Sequence, residues 1–161
     1  MTRVILLIFT LFTCSLNTPP LSNTLNTKEE VIQKAFEYVS KGDMKSLDSL
    51  LLTRKEHNEN FWNHVGERFT KDPNITADFA FDQMNLETNY AKPQLQKELT
   101  GKLRTIQSIG CNRVENYGSF KLHLGCKVVA MDPTGNLLEI NGFRTVIELN
   151  GKYKLYHLKR E

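Results

Sequence analysis

Beyond Gly101 the apolar residues of this chain stop recurring every three or four positions and begin to recur every two. A repeat of 3.6 belongs to a helix with one buried stripe, and a repeat of two to a strand with one buried face. A chain that holds the first pattern and then the second is confined to the α+β class. The clearest strand runs from Phe120 to Ala130, where Phe120, Leu122, Leu124, Cys126, Val128 and Ala130 alternate with Lys121, His123, Gly125 and Lys127. This alternation predicts one long strand whose other face, His123 included, is wet. Gly118-Ser119 suits a two-residue type II′ hairpin turn before it, and Asn150-Gly151 a type I′ turn into the last strand. Asp132-Pro133-Thr134-Gly135-Asn136 makes the loop between them. Phe143, Thr145, Ile147 and Leu149 share a face, with Leu138 and Ile140 out of phase, so a bulge is expected at Asn141-Gly142. The sum is a four-stranded antiparallel meander.

The residues before Gly101 read as helices. Thr27 to Glu30 is a capping box, and Ile32, Ala35, Phe36 and Val39 follow it as one stripe. Gly42 ends that helix, and Asp43 caps a second that carries Met44, Leu47, Leu50 and Leu51. Another capping box, Thr53 to Glu56, opens a third helix with Phe61, Trp62, Val65 and Phe69. Asp72-Pro73 breaks the chain before a fourth helix from Thr76, with Phe79, Ala80, Gln83 and Met84 on its inner side. Pro93 is expected to start a short fifth helix that ends at Gly101. Residues 27–161 therefore form a single domain of N-terminal helices packed on a C-terminal meander.

The first residues have a different character. Arg3 precedes an apolar run, Val4 to Phe12, too short for a bilayer that needs ~20 residues, which is the layout of a signal peptide over residues 1–13. Leu11-Phe12-Thr13-Cys14 resembles the lipobox of bacterial lipoproteins. That resemblance implies a diacylglyceryl thioether on Cys14 and a place in the bacterial cell envelope. The alternative is an ordinary signal with an incidental cysteine and a secreted or periplasmic product. Residues 14–26, rich in Ser, Thr, Asn and Pro, are expected to be a flexible tether. The chain has 21 Lys and Arg against 18 Asp and Glu; without Arg3 that is 20 against 18, a charge of +2. So small and unclustered an excess excludes a nucleic-acid partner.

Two short stretches carry a second resemblance: Gly42-Asp43 in "KGDMKSLDSLL" and Asn150-Gly151-Lys152-Tyr153 in "VIELNGKYKLYHL". With about a hundred residues between them, they resemble the cystatin-like cone of nuclear transport factor 2-like domains. The resemblance implies a funnel between helices and sheet, used in that family by isomerases, dehydratases and non-catalytic binding modules. Phe36, Trp62, Leu124 and Phe143 are the residues expected to line it, for a small apolar ligand or a protein. Trp62 also reads simply as a core anchor on the third helix.

Groups able to do chemistry are sparse. His57 and His64, seven residues apart, could share a helix face, but their neighbours Glu56, Glu59, Asn60 and Glu67 are those of a solvated face rather than a metal site. Asp82, Glu87, Tyr90 and Arg144 are the components an acid–base enzyme would need; on their spacing the first three read as the polar edge of a helix. No nucleophile elbow, phosphate-cradling loop or CxxC occurs. No catalytic residue, metal or cofactor is implied. The expectation is a binding domain, with an isomerase- or dehydratase-like enzyme and a structural surface protein as the alternatives. One covalent link follows from register. If Gly118-Ser119 is the turn, Tyr117 faces Phe120, and stepping back along both strands sets Cys111 opposite Cys126 at a hydrogen-bonded position, with Cα atoms ~5.5 Å apart. A disulfide there competes with a pair of buried free thiols.

Overall fold

The computed structural model describes residues 19–65, 72 and 74–159. The expected signal peptide, Cys14 and Phe69 lie outside them. Helix α1 (Lys28–Lys41) starts where the capping box places it, with Thr27 Oγ1 accepting from the Glu30 N–H at 3.1 Å. It ends at Gly42, whose φ of 73° no β-carbon hinders. Asp43 Oδ1 accepts from the Ser46 N–H and starts α2 (Met44–Leu50). The second capping box also forms: Glu56 N–H donates to Thr53 Oγ1 and Thr53 N–H to Glu56 Oε2. It opens not an α-helix but a π-helical stretch, Glu56–Phe61, continued by one α turn, α3 (Trp62–Val65).

Helix α4 runs unbroken from Ala77 to Leu99, through Pro93. The separate fifth helix expected from Pro93 is thus a continuation of the fourth. Its buried stripe is Met84, Thr88, Ala91, Leu95 and Leu99, a phase that leaves Phe79 51 % exposed and turns Gln83 outward. Packing of that stripe outweighs the one backbone hydrogen bond that a proline removes.

The four arms of the meander exist, but three of them are broken in the middle. They give β1 (Thr105–Gly110) and β2 (Arg113–Tyr117), β3 (Phe120–Leu124) and β4 (Lys127–Met131), β5 (Leu137–Ile140) and β6 (Thr145–Leu149), and the unbroken β7 (Lys152–His157). Seven antiparallel strands in two sheets, ordered β1-β4-β5 and β2-β3-β6-β7, replace the expected four. The turns hold as read. Tyr117 pairs with Phe120 across a Gly118 of positive φ, and Asn150 and Gly151 both have positive φ.

Gly125, at φ +62°, breaks the second arm. The alternation continues through it, but the buried side changes: Phe120 and Leu122 join one apolar cluster, and Cys126, Val128 and Ala130 the other. The four-stranded sheet is covered on both faces. Val146 and Leu155 pack against α1 with Phe36, Val39 and Leu158. Ile147 and Leu149 pack the other way, against Phe61 and Val65. This explains why all five residues of β6, TVIEL, are buried. It also corrects His123, which is 7 % exposed, beside Glu148 and the ring of Tyr153, rather than in water.

The described half of the expected tether is docked. Leu21 is buried, and Leu25 exchanges two 3.0 Å backbone hydrogen bonds with Tyr153 on the edge of the large sheet. Asn60 Nδ2 donates to Pro19 O at 3.3 Å. Residues 19–26 thus form a strap on the edge of β7 at Tyr153, and Leu52, whose N–H donates to Leu155 O at 2.8 Å, covers the same edge further along.

Candidate functional site

Where the three arms break, the two sheets part and leave a cleft. Its largest lobe holds about 490 Å³ and is lined by Asn112, Arg113, Leu124, Gly125, Arg144 and Thr145. Asn112 and Gly125 are shared with two adjoining lobes of about 180 and 280 Å³, which add Lys127, Glu139 and Asn141 on one side and Ser108 and Val129 on the other.

The break itself is held by a disulfide, two backbone hydrogen bonds and a glycine. Cys111 and Cys126 are disulfide-bonded, S–S 1.96 Å, and join the first two arms at their breaks. The pair is the one read from register, but its Cα atoms are 3.9 Å apart rather than the expected ~5.5 Å. The Cys126 N–H turns away to Arg144 O, at 3.1 Å on the third arm, so the site is not a hydrogen-bonded rung. The Asn112 N–H donates to Leu124 O at 3.1 Å. A β-carbon on Gly125 would stand 2.2 Å from Asn112 Oδ1, so this position needs glycine both for space and for its positive φ.

Three cations and one carboxylate border the cleft. Lys127 Nζ lies 3.1 Å from both oxygens of Glu139. Arg113, its side chain 66 % exposed, reaches Glu115 Oε1 at 3.2 Å.

The residues expected to line an apolar funnel are divided between the two faces of the sheet. Phe36 and Phe143, ring centroids 6.5 Å apart, are core on the α1 side. Trp62 and Leu124 border the other cluster. Of the four only Leu124 reaches the cleft. The acid–base set is scattered as well. Arg54 holds Asp82 and Asp78, Tyr90 is 69 % exposed, and Glu87 accepts from Lys159 at 2.8 Å with His157 Nε2 at 3.3 Å.

The histidines also separate. His57 is buried among the rings of Phe61, Trp62, Phe81 and Tyr156 at 5.5–6.3 Å, and burial lowers its pKa. His64 lies over Phe120 at 5.4 Å. Among the described residues no three His, Cys, Asp or Glu are placed to hold a metal. His123 Nε2 lies 2.8 Å from Glu148 Oε2, and Lys121 donates to the other oxygen at 2.8 Å. Burial alone would raise the Glu148 pKa, but these two partners bring it below the usual value. Burial depresses His157 to about 4 against the opposing pull of Glu87.

One buried network escaped the sequence reading. Lys154, fully buried, donates to both Glu56 oxygens at 2.8 and 3.0 Å. Ser22 and Thr53 each add a backbone N–H and a hydroxyl to the same carboxylate. Burial pushes the Glu56 pKa up, yet the donors win and hold it at about 2. The available signal was the row across the sheet: Lys154 pairs with Ile147, which pairs in turn with Leu122. A lysine on that row requires a buried acid.

Comparison of the chain with protein-family models, with curated proteins and with solved structures returned no match. Among the described residues no helix is long and apolar enough to cross a membrane.

Proposed function

We propose that this is a lipid-anchored protein of the bacterial envelope whose α+β domain binds a ligand in the cleft between its sheets. The observation that carries the binding reading is the cleft itself: open, of ligand size, and walled by backbone that a disulfide, two hydrogen bonds and a glycine hold in place. The most displaced acid and imidazole, Glu56 and His157, belong to internal partners and do not border it. A long α1 against a sheet three of whose four arms are broken supports the cystatin-like cone as the outline, with the opening at the sheet break rather than under the helices. The anchor rests on the lipobox-like Leu11-Phe12-Thr13-Cys14 after a short apolar run.

Expression of the full chain in a bacterial host tests the anchor. The mature protein should partition into detergent and take up a fatty-acid analogue, and Cys14→Ser should abolish both. A soluble product whose first residue follows Cys14 would sink the lipid anchor while leaving the cleft to be tested separately.

A further inference from the structure

We infer that the outer edge of β2 is a docking surface for a second copy of this chain, which adds its own β2 antiparallel about a two-fold axis at Val114. The inference is independent of what the cleft binds.

A bare edge strand is a template for another strand, and most edges carry a device against it. Among the described residues the two sheets have four edges. Leu25 and Leu52 cover β7, a register shift between Ile106 and Ser108 interrupts β1, and β5 is only four residues long. β2 has none of these devices. Its five residues pair with β3 without a register shift, and among the described residues no other strand pairs with it. Arg113, Val114 and Asn116 are exposed, Val114 to 49 %.

The phase of the ladder selects the axis. Tyr117 and Phe120 flank a two-residue turn and so exchange both backbone hydrogen bonds. Alternation along the strand then points the N–H and C=O of Glu115 and Arg113 at β3, and those of Val114 outward. Two outward-facing residues set opposite each other form a hydrogen-bonded pair, so Val114 can exchange both bonds with its own copy.

The side chains fit the same axis. It sets Arg113 opposite Glu115 of the second copy, and Glu115 opposite Arg113 of that copy. Within one strand these two already meet at 3.2 Å, and the axis adds two crossed pairs to the two existing ones. Two cations and two anions then alternate, and neither copy needs surplus charge. Registers centred on Arg113 or Glu115 would instead set like charges face to face, which is destabilising.

Pairing through one short strand makes a weak dimer, so the test traps it covalently. Intact cells producing the full chain with Val114→Cys or Asn116→Cys are oxidised mildly. Adducts are read on non-reducing gels and by peptide mass spectrometry. The two Cα atoms at 114 lie ~5.5 Å apart across a hydrogen-bonded pair, within disulfide reach. Those at 116 lie two residues either side of the axis, roughly 14 Å apart and out of reach. Val114→Cys should give two chains joined through residue 114, and Asn116→Cys should give none. Added to Val114→Cys, either Arg113→Glu or Glu115→Arg should cut the adduct about tenfold, because two like-charge pairs then oppose each other. Co-expression of those two reversed variants should restore it as a mixed dimer. Unchanged circular dichroism of each purified variant excludes misfolding as the cause of a loss. Equal adducts at 114 and 116, or no rescue in the mixture, would overturn the two-fold at Val114. No adduct at 114, or one formed only with a different protein, would overturn self-pairing.

Discussion

At Glu56 five donor groups converge on one carboxylate: the Ser22 and Thr53 N–H and hydroxyl groups, and the Lys154 ammonium. The carboxylate binds its proton less readily in the folded chain, at about 2, than at its ordinary 4.5. Its contribution to stability is therefore complete above pH 4.5 and is lost as pH falls toward 2. His157 has the same sign for a different reason. Burial disfavours its charged form, so the unfolded chain takes up that proton first, and stability falls as pH drops from 6.5 to 4. His57, shifted downward by burial, adds to this upper window. The urea midpoint should decline in two acid steps, and His157→Gln should shrink the upper one. A midpoint flat from pH 6.5 to 4 would contradict the assignment. Both capping boxes could be read locally, because each needs only a threonine and a glutamate three residues on. That one of those glutamates also meets a strand 98 residues away could not, since no spacing links them.

Helices and strands were legible to different depths. The turns at Gly118-Ser119 and Asn150-Gly151 were readable because two adjacent residues determine them. The breaks in the arms were not, because each depends on which layer covers which face. The stripe from Phe120 to Ala130 is buried except at the half-buried Leu124, yet on opposite sides of the chain before and after Gly125. Helix α4 shows the reverse error, in which a strong local signal is overruled. Pro93 is expected to start a new helix, but Ala91, Leu95 and Leu99 continue the stripe of Met84 and Thr88 into the core. Pro93→Ala restores one N–H to the ladder and relieves the ring's clash with the preceding turn. It should stabilise the protein by about 1–3 kcal/mol, read as a higher urea midpoint with α-helical circular dichroism retained. No gain would mean that the helix has fully accommodated the ring.

Across the whole molecule the disulfide is the one covalent tie between arms of the bent sheet. It closes a separation of 15 residues, for which chain entropy gives about 3 kcal/mol. The double variant Cys111→Ser, Cys126→Ser should lose about that much by urea titration. Reductant should lower the wild-type midpoint and leave the variant unmoved; an equal response from both would show that the bond does not form in the purified protein. The pairing was legible because register is arithmetic. The cleft beside it was not, because it exists only where the two sheets diverge. The docked strap carries a last consequence. Only residues 15–18 lie between Cys14 and Pro19, and five Cα steps reach at most about 18 Å. A chain moored by lipid at Cys14 could not rise far from the bilayer or sample partners at a distance; it would ride close against the lipid headgroups, on a short leash that begins at Pro19, where Asn60 of the π-helical stretch meets it.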